Sequence, residues 1–289
     1  MTSSKSRTSE ASTIPEAVTG EESGRKVIVV GAGVAGLMAA ETLARRGFQV
    51  TVYDKKEKAG GQVITASTCL HKDKLYWSVE DLLANLAALG VEVKLGTEVT
   101  AESIEKEAPY AVIVASGALP VIPRSIKGVD LPHVCTAPEI IMGTKKIENK
   151  KVIVVGSGMT GLETTEVLNA CGNQVTVVEM AKEVAPGTWF QLLDDEMSRI
   201  QPFGTEFKTG KRLMAIREDR IIVEDVENSK LEEIPADAVV LSLGVRPETR
   251  LYNELKTRLN RVSLVGDANG GGRIATAAHD GFKAAIALR

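Results

Sequence analysis

The sequence predicts an α/β fold built from two repeated parallel-sheet units, and three features carry that expectation. Val27 to Asp54 aligns without gaps on Val152 to Glu179 at 15 of 28 positions, so a whole supersecondary unit recurs. Each copy opens on the β-branched run VIVV, fit for a strand buried on both faces, and continues into a glycine turn and an apolar helical stretch. The 289 residues also exceed what a single core usually holds.

Taken in order, residues 1–24 are rich in Ser, Thr and Glu with almost no apolar content, which predicts a disordered tail. Its glutamates argue against a transit peptide. From Val27 the chain reads strand, glycine turn, helix (LMAAETLARRG) and strand (QVTVYD). SVEDLLANLAALG then has helical spacing with a glycine stop, VEVKLGTEV alternates as a strand does, and YAVIVASG is a further buried strand. The second copy begins at Lys151. RIIVED and DAVVLSLG follow as strands, and RVSLVGDANGGGRIATAAHDGFKAAIALR reads as strand, polar turn and closing helix.

Composition narrows the function classes. A hydrophobic fraction of 44%, a charged fraction of 25% and a net charge of −3 are ordinary globular values and give no electrostatic case for a nucleic-acid partner. No apolar run approaches the roughly 20 residues a bilayer requires, so no membrane partner is expected and the reading is soluble and cytoplasmic. Cys69, Cys135 and Cys171 are scattered and odd in number, offering neither a disulfide framework nor a Cys-x-x-Cys pair. His71, His133 and His279 show no metal-ligand spacing.

The repeated turn carries the chemistry. Between a strand and a helix, the first glycine of Gly-x-Gly-x-x-Gly makes the tight turn, the second leaves room for a pyrophosphate, and the third lets helix and strand pack closely. Gly31, Gly33 and Gly36 have Asp54 at the end of the next strand, and Gly156, Gly158 and Gly161 have Glu179 at the same spacing. An acid there accepts hydrogen bonds from a ribose diol. Two Rossmann-like dinucleotide sites are therefore expected, one holding a redox cofactor, taken as FAD, and one exchanging a nicotinamide dinucleotide, because hydride transfer needs donor and acceptor together. Glu179 repels a 2′-phosphate and no arginine follows it in EMAKEV, so NADH is expected over NADPH, with Lys182 softening the preference.

These motifs, with VYDKKEKAGGQV, AVIVASGALPVIP, VVLSLGVRPE and VSLVGDANGGGRIATAAHDGF, resemble the flavoproteins with two dinucleotide-binding domains. More narrowly they resemble the FAD/NAD(P)H half of the 2,4-dienoyl-CoA reductase, enoate reductase and trimethylamine dehydrogenase group. The resemblance implies an NAD(P)H domain (146–246) inserted into an FAD domain (25–145 and 247–289). It places Ala35, Asp54, Lys55, Gly61, Gln62 and Val99 around the FAD, with Ala115, Ser116 and Gly117 at a crossover. Gly266 and Asp267 would meet the ribityl or pyrophosphate region, and Arg273, Ala275 and Thr276 the isoalloxazine. Thr160 falls in the second turn, Gly244 at the second crossover near the nicotinamide, and Glu163 either faces the carboxamide or is a plain helix-surface glutamate.

The group's FMN barrel and cluster-binding cysteines have no counterpart in these residues. The resemblance therefore implies an FAD-dependent NAD(P)H dehydrogenase module, with no side-chain nucleophile and no metal. Its acceptor would be an FMN barrel on another chain or outside this sequence. The alternatives are an assembly domain that holds ADP without hydride chemistry, and an NADH oxidase or peroxidase that uses Cys69. A thiol without a role is the plainer reading of Cys69. Lys55, Lys56 and Lys58 read as a solvated turn, and Tyr76 and Trp77 as anchors of the helix that follows.

Overall fold

The computed structural model describes residues 24–289. The tail expected over residues 1–24 lies outside the described residues except for Gly24, whose N–H donates to the Gly47 carbonyl at 2.9 Å.

The chain starts with β1 (Lys26–Val30), α1 (Val34–Arg45), β2 (Gln49–Tyr53), α2 (Gln62–Thr68), α3 (Trp77–Ala88), β3 (Glu92–Lys94), α4 (Ala101–Lys106), β4 (Ala111–Val114) and β5 (Ala118–Pro120). The middle stretch holds β6 (Val134–Thr136), α5 (Ala137–Ile141), β7 (Lys151–Val155), α6 (Met159–Ala170), β8 (Gln174–Val178), α7 (Phe190–Ile200), β9 (Glu206–Lys208), β10 (Lys211–Ile216), β11 (Arg220–Asp225), β12 (Leu231–Pro235) and β13 (Ala238–Leu241). It closes with β14 (Val245–Pro247), α8 (Arg250–Leu255), β15 (Val262–Leu264) and α9 (Ile274–Ala287).

Two five-stranded sheets, parallel throughout, share one four-strand order, in β15-β4-β1-β2-β3 and β6-β13-β7-β8-β9, and differ in that the edge strand is the last in the chain in the first and the first in the second. The VIVV runs behave as their composition demands. Val27 and Val29 pack under α1 and α3 with Leu37, Leu43 and Leu86, while Ile28 packs on the opposite face with Ile104 and Leu255. In the second sheet Val152 and Val154 face Leu168, whereas Ile153 and Val155 face Leu213, Ile221 and Val223 of the antiparallel sheet β10-β11-β12. Each such buried aliphatic side chain contributes about 1.5–3 kcal/mol, which is why these strands tolerate no polar alternation.

The units meet at the antiparallel pair β5–β14, in which Leu119 is opposite Arg246. β5 leaves the first sheet and β14 leads back to it, where β15 adds beside β4. α9 then closes on α1 at a glycine: a Cβ on Gly281 would lie 2.1 Å from the Ala35 carbonyl oxygen.

Local readings differ from the structure in two places. The expected boundary at residues 145/146 leaves β6 and α5 in the first unit, yet β6 pairs with β13 and belongs to the second sheet. At three residues it is too short to show a strand's periodicity. In VEVKLGTEV only Glu92–Lys94 is strand, because the chain turns at Gly96 (φ +60°) and the Thr97 N–H donates to the Asp54 carbonyl at 2.8 Å.

Candidate functional site

The three glycines of each turn divide by what surrounds them. A Cβ on Gly31 would lie 2.2 Å from the Ala115 carbonyl oxygen and one on Gly36 1.9 Å from the Gly31 carbonyl oxygen. In the second unit a Cβ on Gly156 would lie 2.2 Å from the Ser242 carbonyl oxygen and one on Gly161 2.1 Å from the Gly156 carbonyl oxygen. First and third positions are thus closed by the protein's own backbone. The middle positions are open: Gly158 has nothing within 4 Å of a would-be Cβ, and Gly33 only the Gly61 Cα at 3.8 Å. A cradle left open only at the middle glycine, at the N-terminus of a 12-residue helix, fits a pyrophosphate held by backbone N–H groups.

The acids hold equivalent places. Asp54 follows β2 and Glu179 follows β8, and their N–H groups donate to Lys94 and Lys208 at 3.0 and 2.9 Å. Asp54 accepts from the Ala32 N–H at 2.7 Å and the Lys56 N–H at 2.8 Å. Glu179 accepts from the Ser157 N–H, the Ser157 hydroxyl and the Ala181 N–H, each at 2.8 Å. Each acid therefore braces its own turn and has acceptor positions left over. Glu179, Gly156 and Gly158 line a cavity of about 350 Å³ with Met180, Lys211 and Arg212. Lys55 is exposed beside Asp54, and Val99 packs on the core near Tyr53. Thr160 is exposed on the first turn of α6.

The late Gly-Asp segment lies over the start of α1: a Cβ on Gly266 (φ +68°) would approach the Ala35 Cβ to 2.7 Å. Asp267, Ala275 and Thr276 line a cavity of about 430 Å³ with His279, Asp280 and Lys283. Burial pushes the Asp267 carboxyl above its ordinary range, and the Gly272 N–H pulls it partway back. Arg273 stands apart from that lining, with its guanidinium 4.9 Å over the Trp189 ring of the second unit. The crossovers are tied together: the Ser116 hydroxyl donates to the Glu248 carbonyl at 2.5 Å, and the Val121 N–H donates to Gly244 at 3.0 Å. Gly117 and Gly244 both face open space, and Ala115 walls the first turn. Gly61 approaches Gly33, and Gln62 starts α2 with its side chain exposed.

Glu163 is not a plain surface glutamate. Its carboxylate pairs with Lys72 and accepts from the Cys69 thiol at 3.5 Å, both contributed by the loop after α2 of the other unit. Lys72 also lies 3.9 Å from Glu196, whose side chain is fully buried with Oε1 unpartnered. Burial raises the Glu196 carboxyl against the pull of Lys72 and Arg199. Burial, with Glu163 second, pushes the Cys69 thiol up to about 12, the reverse of a redox-active thiolate. Cys69 and Cys135 are buried, Cys171 is exposed, and all three are free. Among the described residues no group of His, Cys, Asp and Glu could hold a metal, and no helix is long and apolar enough to cross a membrane.

Sequence reasoning passed over Ser157, Lys72, Glu196, Arg212 and Gly281. Only Ser157 left a signal, as the non-identical partner of Ala32 in the repeat. The others are placed by contacts distant in sequence.

Comparisons with known proteins agree with this geometry. The family model described as pyridine nucleotide-disulphide oxidoreductase matches residues 25–278. The chain is 37% identical over 268 residues to the NADH oxidase of Thermoanaerobacter brockii, covering 90% of this chain and 40% of that protein. It is 33% identical over 252 residues to the bilirubin reductase of Mediterraneibacter gnavus, covering 87% and 39%. The solved 2-naphthoyl-CoA reductase complex superimposes with a TM-score of 0.86 at 28% identity, over 96% of this chain and 41% of that one. The chain thus spans about 40% of the length of these relatives, which bear out the resemblance to the enoate and dienoyl-CoA reductase type. With the open middle glycines and paired acids in place, the chain belongs to the pyridine nucleotide-disulphide oxidoreductase family, whose members bind FAD and NAD(P)H.

Proposed function

We propose that the chain is an electron-entry module: FAD occupies the Gly31–Gly36 site, a reduced nicotinamide dinucleotide enters at Gly156–Gly161, and electrons leave to an acceptor outside these residues. The observation that carries this reading is the equivalence of the two turns, each open only at its middle glycine and each braced by an acid. Bound FAD would supply the redox chemistry, taking hydride from the nicotinamide and releasing the electrons onward.

The chain's own residues bind and orient. Helix N-termini face each pyrophosphate, Asp54 and Glu179 meet the adenosine riboses, and Asp267 and Gly266 meet the flavin's middle portion. The β5–β14 pair ties the two units together and would help hold the two bound ring systems in reach, since the chemistry needs stacking rather than a nucleophile. The domain limits that follow give the FAD unit β1–β5 and the segment after β14, and the NAD(P)H unit β6–β13. The acceptor is a flavin-bearing barrel, as the resemblance to the enoate and dienoyl-CoA reductase group implies, on another chain or on a longer version of this one.

The test is to denature purified protein, identify the released nucleotide, and assay dye reduction by NAD(P)H. Released FAD with dye reduction supports the module. Released ADP without reduction supports the assembly-domain alternative instead.

A further inference from the structure

Ser157 makes the two acids unequal. An ionised carboxylate offers about four acceptor positions. Asp54 commits two, to Ala32 and Lys56, leaving two that suit a 2′,3′-diol. Glu179 commits three, because Ser157 stands where the first unit has Ala32 and donates from both its N–H and its hydroxyl. That hydroxyl is fully buried and locked, since it also accepts from the Ala185 N–H at 2.9 Å. Glu179 therefore keeps about one position for a ribose.

Cations stand beside this depleted acid, brought there where the sheet β10-β11-β12 meets the end of β8. The Lys211 N–H donates to the Glu179 carbonyl at 2.8 Å, so the start of β10 runs alongside the end of β8 and Arg212 joins Glu179 in one cavity lining. The neighbouring lysines are committed: Lys211 lies 3.1 Å from both Asp225 and Glu232, and Lys182 lies 2.7 Å from Glu227. Arg212 has a looser partner, one guanidinium nitrogen 3.4 Å from Glu224, and its side chain is 55% exposed. A guanidinium presents five N–H donors in a planar fork, so Arg212 keeps donors beyond the one that meets Glu224.

We propose that Arg212 is the coenzyme-specificity residue of the second site, meeting the 2′-phosphate of NADPH beside a Glu179 that Ser157 has largely saturated. A 2′-phosphate carries close to two negative charges at neutral pH and takes arginine in the bidentate manner. The site then accepts NADPH at least as well as NADH, reversing the expectation drawn from Glu179 and EMAKEV alone. This rests on the assignment of the Gly156–Gly161 site to the nicotinamide nucleotide.

The experiment is calorimetric titration of the full chain, its first site filled with FAD, with adenosine 2′,5′-bisphosphate and with adenosine 5′-monophosphate. The parent binds the bisphosphate at least as tightly. Arg212→Ala lowers the ratio of the two affinities about tenfold, Arg212→Lys lowers it less, and Ser157→Ala shifts it toward the monophosphate by freeing Glu179. Because Arg212 is exposed, its variants report binding whether or not Ser157→Ala folds. A parent that prefers the monophosphate, or Arg212 variants whose ratio is unchanged while both nucleotides bind, overturns the proposal and leaves the site assignment standing. Failure of both nucleotides to bind the parent overturns the assignment itself.

Discussion

At Gly158 and Gly156, two positions apart, the same substitution has opposite consequences. Gly158 has φ −56° and open space where a Cβ would stand, so Gly158→Ala should change stability by no more than about 0.5 kcal/mol while weakening coenzyme binding tenfold or more. Gly156 has φ +102° and the Ser242 carbonyl in the way, so Gly156→Ala should destabilise the fold outright. Urea midpoints with nucleotide titrations separate the two, and a Gly158→Ala that unfolds while binding normally when folded would break the argument. Asp267→Ala should lower FAD retention about tenfold with a much smaller effect on adenine nucleotide binding at the second site. Equal losses would mean that Asp267 serves the fold rather than the flavin. With its thiol raised to about 12, Cys69 stays protonated at neutral pH, so it should resist alkylation at pH 8 while exposed Cys171 reacts. Cys69→Ser should still turn over with artificial acceptors, and mass-mapped alkylation together with a dye assay reads both.

Among the elements, α9 and the loop after α2 show how far the sequence could be read. Gly281 lets α9 lie against the backbone of α1, so Gly281→Val should cost about 2–3 kcal/mol through overpacking and loosen the Gly266–Asp267 segment with it. Urea titration checks the cost, and FAD retention checks the coupling. Lys72 holds Glu163 and buried Glu196 across the unit boundary. Lys72→Ala should therefore destabilise by about 3 kcal/mol, since it leaves the largely buried Glu163 carboxylate without its cation while Glu196 keeps Arg199 at 2.7 Å, and Glu163→Gln in the same chain should recover part of that. The strands VIVV and the glycine turns were legible because burial on both faces and tight backbone approach each demand particular residue types. The Lys72–Glu163 pair was not, because sequence separation hides which surface lysine meets which helix. β6 escaped for want of length, and Arg212 because only the meeting of the β10-β11-β12 sheet with the end of β8 brings it into one cavity lining with Glu179.

In the whole molecule the two units repeat one four-strand order, each carries its glycine turn after the central strand β1 or β7, and the β5–β14 pair joins them. On the proposed function the two sites act together, one nucleotide reducing the other. The most direct measurement is anaerobic mixing of the FAD-loaded protein with NADPH or NADH while following the flavin absorbance. The account predicts bleaching of the flavin band in a single turnover, slowed in proportion to lost occupancy by Gly158→Ala, with no added acceptor needed. A flavin that remains fully oxidised under saturating reduced nucleotide, in protein that binds both, would contradict it.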